Sequence, residues 1–221
     1  MTNFTDRIKD ADKLETSFIE SFNKLYLKPQ YKIIKYGIES TKLGTVHEFI
    51  RTCYDDTSKF VRYIPDSVLI STDNNYPCQT TLIEFKAAVT GVQKDSFFNE
   101  LKSKCQQMKP QFLSKKDIFN IENDALNLYT KLKDLGVRIV IVAYAGFRNQ
   151  GNRLFSQFVE NIAICNTYNP NTRGQNIGSG TFIANVNLAS FYNASDFFYN
   201  EFQIDKNIFQ KVINDVEKAF A

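Results

Sequence analysis

Apolar residues at helical spacing characterise the first part of the chain. They recur at steps of four, four and three over residues 10–28, at Leu14, Phe18, Phe22 and Leu25. Pro29 ends this run, because proline cannot continue a helix. The pattern predicts an amphipathic helix over residues 10–28, a short strand over residues 31–36 and a second helix over residues 42–54.

Three β-rich stretches follow in the middle of the chain. Residues 59–64, 67–71 and 80–88 carry many β-branched and other apolar side chains, which favour extended backbone. The stretch Thr72-Asp-Asn-Asn-Tyr-Pro-Cys between the last two has a composition typical of turns. The two segments that flank it are therefore predicted to pair as an antiparallel hairpin.

The second half of the chain alternates between helix and strand patterns. Residues 137–145 form a nearly continuous β-branched run, typical of a central strand covered on both faces. The pattern also predicts helices over 94–109, 117–135 (capped by Asp117 and ended by Gly136), 152–164 and 206–220, a polar loop over 166–180 and a strand over 181–188. We therefore expect a single α/β domain over residues 1–221, with a central mixed β-sheet flanked by helices.

The residue types present exclude several kinds of catalytic site. The chain has one histidine, His47, so paired-histidine metal sites are excluded, and nucleophilic systems that need a histidine have only this one. The four cysteines are far apart and contain no C-x-x-C pair, so they are expected to be free thiols rather than zinc ligands. Catalysis would therefore depend on carboxylates, lysine, arginine and a metal held by oxygen ligands.

Charge and hydropathy set the expected surroundings of the protein. The net charge of +3 at pH 7 permits an anionic partner without demanding one. No apolar run approaches the roughly 18 to 20 residues that span a bilayer. The first residues lack the basic start and apolar stretch of a signal peptide. We therefore expect a cytoplasmic protein without a membrane partner.

The predicted hairpin brings three charged residues together. Asp66 follows a proline at the start of one strand, and Glu84 and Lys86 lie in the other strand with Phe85 between them. Because side chains alternate along a strand, Glu84 and Lys86 point to one face and Phe85 to the other. Pairing of the two strands would bring Asp66 to the surface that Glu84 and Lys86 share.

This combination of residue types suits chemistry on a phosphoryl group. Carboxylate oxygens are the ligands that Mg²⁺ prefers, and the bound cation lowers the pKa of its water and stabilises charge on phosphoryl oxygens. A neighbouring lysine can hold or help to deprotonate the attacking water and can neutralise charge on the phosphate. The alternative is a solvated sheet face on which charges alternate without catalysis.

The same segments resemble a known family. The string Ile-Pro-Asp-Ser-Val-Leu-Ile-Ser over 64–71, followed by Leu-Ile-Glu-Phe-Lys-Ala-Ala over 82–88, is similar to the motif of the PD-(D/E)XK nuclease superfamily, to which many type II restriction endonucleases belong. The resemblance covers residues 42–145 and implies a restriction-endonuclease-like core of αβββαβ order.

The resemblance also implies roles for individual residues. Asp66 and Glu84 would hold a Mg²⁺ cofactor, the main-chain carbonyl of Phe85 would be a further metal ligand, and Lys86 would orient the attacking water. The family often adds an acidic residue from the helix before the sheet. Glu48 is the first candidate for that position, and Glu20 and Glu39 are the alternatives.

The implied activity is Mg²⁺-dependent hydrolysis of phosphodiester bonds in double-stranded DNA, leaving a 5′-phosphate. A compact chain favours a type II restriction endonuclease that acts as a homodimer, since two-fold protein symmetry matches a palindromic site. Two alternatives remain open. One is a structure-specific repair or recombination nuclease of the same fold. The other is a non-catalytic nucleic-acid-binding or interaction protein, in which the three charged residues form a surface salt-bridge cluster.

Reading of base edges requires polar side chains that reach into a DNA groove. The candidates are Arg148, Asn149, Gln150, Asn152 and Arg153, directly after the central strand, and Arg173 in the polar loop. The alternative for both groups is an ordinary surface loop. Residues 146–221 are expected to complete the fold and to contribute to DNA recognition or dimerisation. The aromatic segment 191–199 would stack on bases or, alternatively, lie in the core or a dimer interface.

Overall fold

The computed structural model describes residues 4–25, 31–35, 55–71, 80–88, 118–147, 152–168 and 183–221. The helices predicted over 42–54 and 94–109 lie outside these residues, as do the predicted turn over 72–78 and residues 169–180 of the predicted polar loop.

Five helices are described. They are α1 (Phe4–Asn23), α2 (Asp56–Tyr63), α3 (Asn123–Asp134), α4 (Ala194–Phe202) and α5 (Lys206–Phe220). None of these described helices combines the length and the apolarity that crossing a membrane requires.

Nine strands are described, together with two short 3₁₀ turns at Val159–Asn161 and Leu188–Ser190. The strands are β1 (Tyr31–Lys35), β2 (Ser67–Ser71), β3 (Thr81–Ala88), β4 (Ile118–Glu122), β5 (Ile139–Ala145), β6 (Leu154–Phe158), β7 (Ile164–Tyr168), β8 (Ile183–Asn187) and β9 (Tyr192–Asn193).

The strands form a six-stranded sheet of order β1-β2-β3-β5-β6-β9 and a three-stranded sheet of order β4-β8-β7. Neighbours in the large sheet are antiparallel except β3 and β5, which run parallel. Helix α3 lies in the long connection between these two parallel strands, as parallel pairing requires. The fold is therefore mixed α/β, as the sequence predicts.

Strand β5 is buried along its whole length because both faces of the large sheet are covered. Val140, Val142 and Tyr144 belong to a core shared with α1, α4 and α5. Ile139 and Ile141 belong to a second core shared with α2, α3 and the small sheet. This placement explains why β5 is apolar at every position rather than at alternate ones.

Phenylalanine rings dominate the first of these cores. Phe18 and Phe22 from α1 pack against Phe198 of α4 and Phe209 of α5, with ring centroids 5.8 to 6.4 Å apart. Phe198 and Phe209 stack on each other at 4.7 Å. Phe198 therefore lies in the core, as one of the two interpretations of the aromatic segment predicts. Tyr192 and Tyr199 of the same segment are exposed.

Most of the predicted elements are confirmed within a few residues of their ends. They are α1, which begins earlier than predicted, and β1, β2, β3, β5, β8 and α5. The predicted antiparallel hairpin is also confirmed, with Ser67 opposite Ile83. Gly136 ends α3 with a φ of +86°, a conformation that glycine adopts without strain.

Residues 59–64 were predicted to be extended, but they fall in α2 and its C-cap. The Asp55 side chain accepts a hydrogen bond from the Ser58 backbone N–H at 2.9 Å and starts the helix. This N-cap outweighs the weak β preference of the residues that follow. The first strand of the antiparallel meander is therefore β1, and α2 lies between β1 and β2.

Two further predictions are wrong for the same reason, which is pairing with a distant strand. Residues 154–158 form a strand rather than a helix, because they pair with the edge of β5 that β3 leaves open. Residues 118–122 form a strand that pairs with β8, so α3 begins only at Asn123 and Asp117 is not its cap. In each case hydrogen bonds between strands outweigh a local helical pattern.

Truncation of Phe198 should destabilise the protein strongly. We expect Phe198→Ala to lower the free energy of unfolding by about 3 to 5 kcal/mol, because it leaves a cavity among the packed rings. Tyr199→Ala is the control, because Tyr199 is exposed and its loss should cost less than about 1 kcal/mol. Denaturant titration of the two variants measures both values, and equal losses would contradict this account of the core.

Candidate active site

The candidate site lies where β2 and β3 stop pairing. Ser67 opposite Ile83 is the last pair of the ladder in this direction. Asp66 directly precedes Ser67 in the chain, and Pro65 before it has no N–H to donate to a strand. The Asp66 Oδ2 atom instead accepts a hydrogen bond from the Phe85 backbone N–H at 2.9 Å. A side chain thus replaces the main-chain partner that β3 loses.

The hydrogen bonds of β3 show which way its main-chain groups point. The Leu82 N–H donates to the Arg138 carbonyl and the Ala88 carbonyl accepts from the Gly146 N–H, so even-numbered residues of β3 face the side of β5. The main-chain N–H and C=O groups of odd-numbered residues therefore face the side of β2. The Phe85 carbonyl points toward the opening from which β2 has departed, on the same side as the N–H that Asp66 accepts.

Glu84 and Lys86 form an ion pair on the face of β3 that is directed toward α3. Lys86 Nζ contacts Glu84 Oε1, with side chains that are 28% and 5% exposed respectively. The Tyr129 hydroxyl of α3 is hydrogen-bonded to the Glu84 carboxylate. Glu84 Oε2 is buried and has no hydrogen-bond partner within the described part of the chain. One carboxylate oxygen is therefore available for a ligand.

Burial shifts the pKa values of both acids upward. Burial raises the pKa of Glu84 to about 7, and the nearby Asp66 charge adds to the effect, while Lys86 opposes it. Burial also raises the pKa of Asp66 to about 6, opposed by Lys86 and by the Phe85 N–H. Burial alone would lower the pKa of Lys86, but attraction to Glu84 and Asp66 outweighs it and raises that pKa above its ordinary value. Lys86 is thus a firmly protonated cation.

A third acid, Glu15 of α1, is buried against the start of β2. Its Oε1 accepts a hydrogen bond from the Ser67 hydroxyl at 3.2 Å, and its Oε2 lies 3.2 Å from Lys35 Nζ. Burial raises the pKa of Glu15, and the Lys35 charge opposes that rise. The Glu15 charge in turn raises the pKa of Asp66, so the two carboxylates interact.

Glu15, rather than the acids suggested by sequence, is therefore the helix residue that approaches the site. Glu20 is exposed on α1, and Glu39 and Glu48 lie outside the described residues. The signal for Glu15 was present in the pattern, since it falls on the buried stripe of α1 with Leu14 and Phe18. A charged residue on such a stripe requires a polar partner.

Tyr129 was also missed by the sequence reasoning. It lies on the buried side of α3, four residues after Ala125. A buried tyrosine needs a hydrogen-bond partner for its hydroxyl, and that need is the only sequence-level signal of a role beyond packing.

The donor set fits a small oxygen-liganded cation such as Mg²⁺ in part. Asp66 is close enough to Glu84 to raise its pKa, and the Phe85 carbonyl lies on the strand edge that Asp66 contacts. The unpartnered Glu84 Oε2 is an oxygen that a cation would satisfy. Among the described residues, no group of three or more Asp, Glu, His or Cys side chains is close enough to form a complete metal site by itself. Water and main-chain oxygens would have to supply the remaining ligands, which is usual for Mg²⁺.

Two of the six predicted DNA contacts lie in the described chain. Asn152 Oδ1 accepts a hydrogen bond from the Leu154 N–H at 3.0 Å, and the Arg153 carbonyl accepts one from the Ala145 N–H at 2.8 Å. Both residues therefore lie at the end of the sheet where β5 finishes. Arg148, Asn149, Gln150 and Arg173 lie outside the described residues.

Comparison with known proteins adds no family or relative to this geometry. No model of a protein family, no curated protein and no solved structure matches the chain. The roles of Asp66, Glu84 and Lys86 stay predictions that rest on the arrangement of these residues.

The raised pKa values predict that the metal-free protein loses stability as pH rises. Between about pH 4.5 and 7 the folded state holds protons on Glu84 that the unfolded chain has released, so the free energy of unfolding should fall by on the order of 2 to 3 kcal/mol. Denaturant titrations in a chelator across this range measure the fall.

Glu84→Gln isolates the contribution of this carboxyl group. Its free energy of unfolding should retain only the smaller slope that Asp66 and Glu15 contribute across the same pH range. Glu20→Gln is the matched control, because Glu20 is an exposed glutamate, and it should keep the wild-type slope. A Glu84→Gln profile parallel to the wild type would contradict the assignment.

Proposed function

We propose that the protein is a Mg²⁺-dependent endonuclease of the PD-(D/E)XK type that hydrolyses phosphodiester bonds in double-stranded DNA. One observation carries the proposal. Asp66, held on the Phe85 N–H, lies at the open edge of β3 beside the Glu84–Lys86 pair, and Glu84 retains an unpartnered buried oxygen. Buried carboxylates with raised pKa values beside a lysine are typical of functional sites.

The order of elements supports the same proposal. Helix α1 precedes the antiparallel meander β1-β2-β3, and α3 then leads to β5, which is parallel to β3. With α2 between β1 and β2 and β4 before α3 as additional elements, this order is compatible with the αβββαβ core that the resemblance implies. It begins at α1 rather than near residue 42, because β1 and not the segment 59–64 is the first strand of the meander.

Asp66 and Glu84 would hold the cation, with the Phe85 carbonyl as a third protein ligand. A Mg²⁺ ion bound there lowers the pKa of its water and stabilises negative charge on phosphoryl oxygens. The protein's part is to fix both carboxylates on adjoining strands, so that no reorganisation is needed when substrate enters.

Lys86 would act as a cation rather than as a base. Its pKa is raised by Glu84 and Asp66, so it keeps its proton near neutral pH. A protonated ammonium can donate a hydrogen bond to the attacking water and stabilise the charge that develops on the phosphate. Its side chain is 28% exposed, so it can reach a substrate that lies over the edge of the sheet.

The substrate and assembly that we propose are a duplex DNA site and a homodimer, as in type II restriction endonucleases. A structure-specific repair nuclease of the same fold would use the same three residues. Incubation of plasmid and of branched DNA with Mg²⁺, followed by sequencing of the ends, separates the two. Discrete plasmid bands favour the restriction enzyme, whereas cutting confined to branched DNA favours the repair nuclease.

Single substitutions of the three charged residues should abolish cleavage. We expect Asp66→Ala, Glu84→Ala and Lys86→Ala each to lower the rate of plasmid cleavage by at least about 100-fold, because each removes a charge from the reacting phosphate or its metal. Lys133→Ala, at an exposed ion pair at the end of α3, is the control and should cleave at the wild-type rate. Wild-type cleavage by any of the three variants would refute the proposed function.

Removal of the Tyr129 hydroxyl should weaken the site without removing it. We expect Tyr129→Phe to raise the Mg²⁺ concentration for half-maximal cleavage about tenfold, because the Glu84 carboxylate loses the donor that orients it. The measurement is a Mg²⁺ titration of the initial cleavage rate. A Tyr129→Phe protein with an unchanged Mg²⁺ requirement would show that this hydroxyl serves stability alone.

A further inference from the structure

A polar groove lies between the start of β6 and one face of α5. It encloses about 690 Å³ and is lined by Asn152, Arg153, Gln210, Ile213, Asn214, Glu217, Lys218 and Ala221. Six of these residues, from Gln210 to Ala221, recur at spacings of three and four. They therefore lie on one side of α5 and its C-terminal end, and this side is one wall of the groove. Asn152 and Arg153 form the other wall.

The groove opens at the same end of the sheet as the candidate active site. The Arg153 carbonyl accepts from the Ala145 N–H, and Ala145 is the register partner of Ala88 at the end of β3. Lys86 precedes Ala88 by two residues on the same strand. Two strand spacings and two residues of strand separate the backbones of Lys86 and Arg153, roughly 12 Å along the sheet. The Lys86 side chain lies on the α3 face of the sheet, whereas α5 covers the opposite face, so the groove and Lys86 flank the same end of the sheet.

Aromatic stacking holds the groove in place. The Phe220 ring near the end of α5 stacks on Tyr144 of β5 with ring centroids 4.0 Å apart. Lys13 of α1 lies over the same Phe220 ring, 5.1 Å from its centroid. The end of α5 is thus packed against both the sheet and α1, and the groove walls are set before any ligand binds.

The chemistry of the lining suits a phosphate backbone. Arg153 and Lys218 place one positive charge on each wall. Lys218 Nζ lies 3.6 Å from Asp215 Oδ1 in an exposed pair, and the Lys218 side chain is 78% exposed, so it can turn toward a phosphate. Asn152, Gln210 and Asn214 add amide donors, which frequently contact phosphate oxygens in protein–DNA interfaces. Glu217 is the acid that lines the groove, and it lies close enough to Arg153 to interact with it electrostatically.

We propose that this groove binds the sugar-phosphate backbone of the DNA duplex to one side of the bond that is cut, where the duplex passes across the end of the sheet, an inference that rests on the proposed function. The groove contacts phosphates and fixes the position of the duplex over Asp66, Glu84 and Lys86. In this proposal Asn152 and Arg153 contact phosphates and position the duplex, instead of contacting base edges as the sequence predicts.

The experiment is a binding titration of a labelled 20-base-pair duplex with the full-length protein in a chelator, at several salt concentrations. We expect the double variant Arg153→Ala/Lys218→Ala to bind about 10- to 100-fold more weakly than wild type. Its slope of log affinity against log salt should be smaller by about two, because two phosphate contacts are lost. Glu217→Gln should bind severalfold more tightly, because it removes a negative charge from the groove.

Lys206→Ala is the matched control, because Lys206 is an exposed lysine in the first turn of the same helix, twelve residues before Lys218. That spacing is about 18 Å along the helix, so duplex affinity and salt slope should equal those of wild type. Thermal unfolding of all variants checks that each remains folded.

Wild-type affinity and salt slope in the double variant would overturn the proposal. Weaker binding by Glu217→Gln, or an equal loss of affinity in Lys206→Ala, would do the same. Retained duplex affinity with lost binding of a deoxynucleoside monophosphate would also overturn it and assign the groove to a small ligand. Binding in a chelator is independent of cleavage. If the groove variants bind DNA more weakly but the wild type shows no Mg²⁺-dependent cleavage, the nuclease proposal alone is refuted. If the wild type cleaves DNA and the groove variants bind it as tightly as the wild type, the groove proposal alone is refuted.

Discussion

The hydrogen bond from the Phe85 N–H to the Asp66 carboxylate joins the fold to the candidate site. At this point β2 leaves the sheet, and a buried N–H on β3 without a partner would cost about 1 to 3 kcal/mol. The bond removes that cost and at the same time holds a carboxylate beside Glu84 and Lys86. The position of Asp66 beside a second carboxylate thus follows from the way an interrupted strand ladder is completed.

The two cores on either side of the sheet determine the electrostatics of this site. They exclude water from Glu84 and Asp66, which raises the pKa of both carboxyl groups. Lys86 and Tyr129 oppose the rise in the pKa of Glu84. Buried charge of this kind stabilises a fold poorly, because desolvation consumes much of the attraction. An unpartnered oxygen on Glu84 adds to that cost, and the proposed cation would satisfy it.

The C-terminal region contributes both stability and surface. Phe198 and Phe209 complete the aromatic core around α1, and the stack of Phe220 on Tyr144 brings the end of α5 to the open end of the sheet. The same packing that covers one face of the sheet therefore positions a polar groove near the carboxylates. In this way α5, which follows the large sheet in the chain, contributes to the surface at the end of that sheet.

Local patterns were sufficient for the elements with strong periodicity, and long-range contacts decided the remainder. Helices α1 and α5, strands β2, β3 and β5, and the shared face of Glu84 and Lys86 follow from spacing alone, because side-chain direction repeats every 3.6 residues in a helix and every two in a strand. Residues 154–158 fit either period, and only the open edge of β5 makes them a strand. Glu15 and Tyr129 reach the site from elements 52 and 45 residues away from Ser67 and Glu84. Contacts over such separations depend on how helices pack on the sheet, which no local pattern contains.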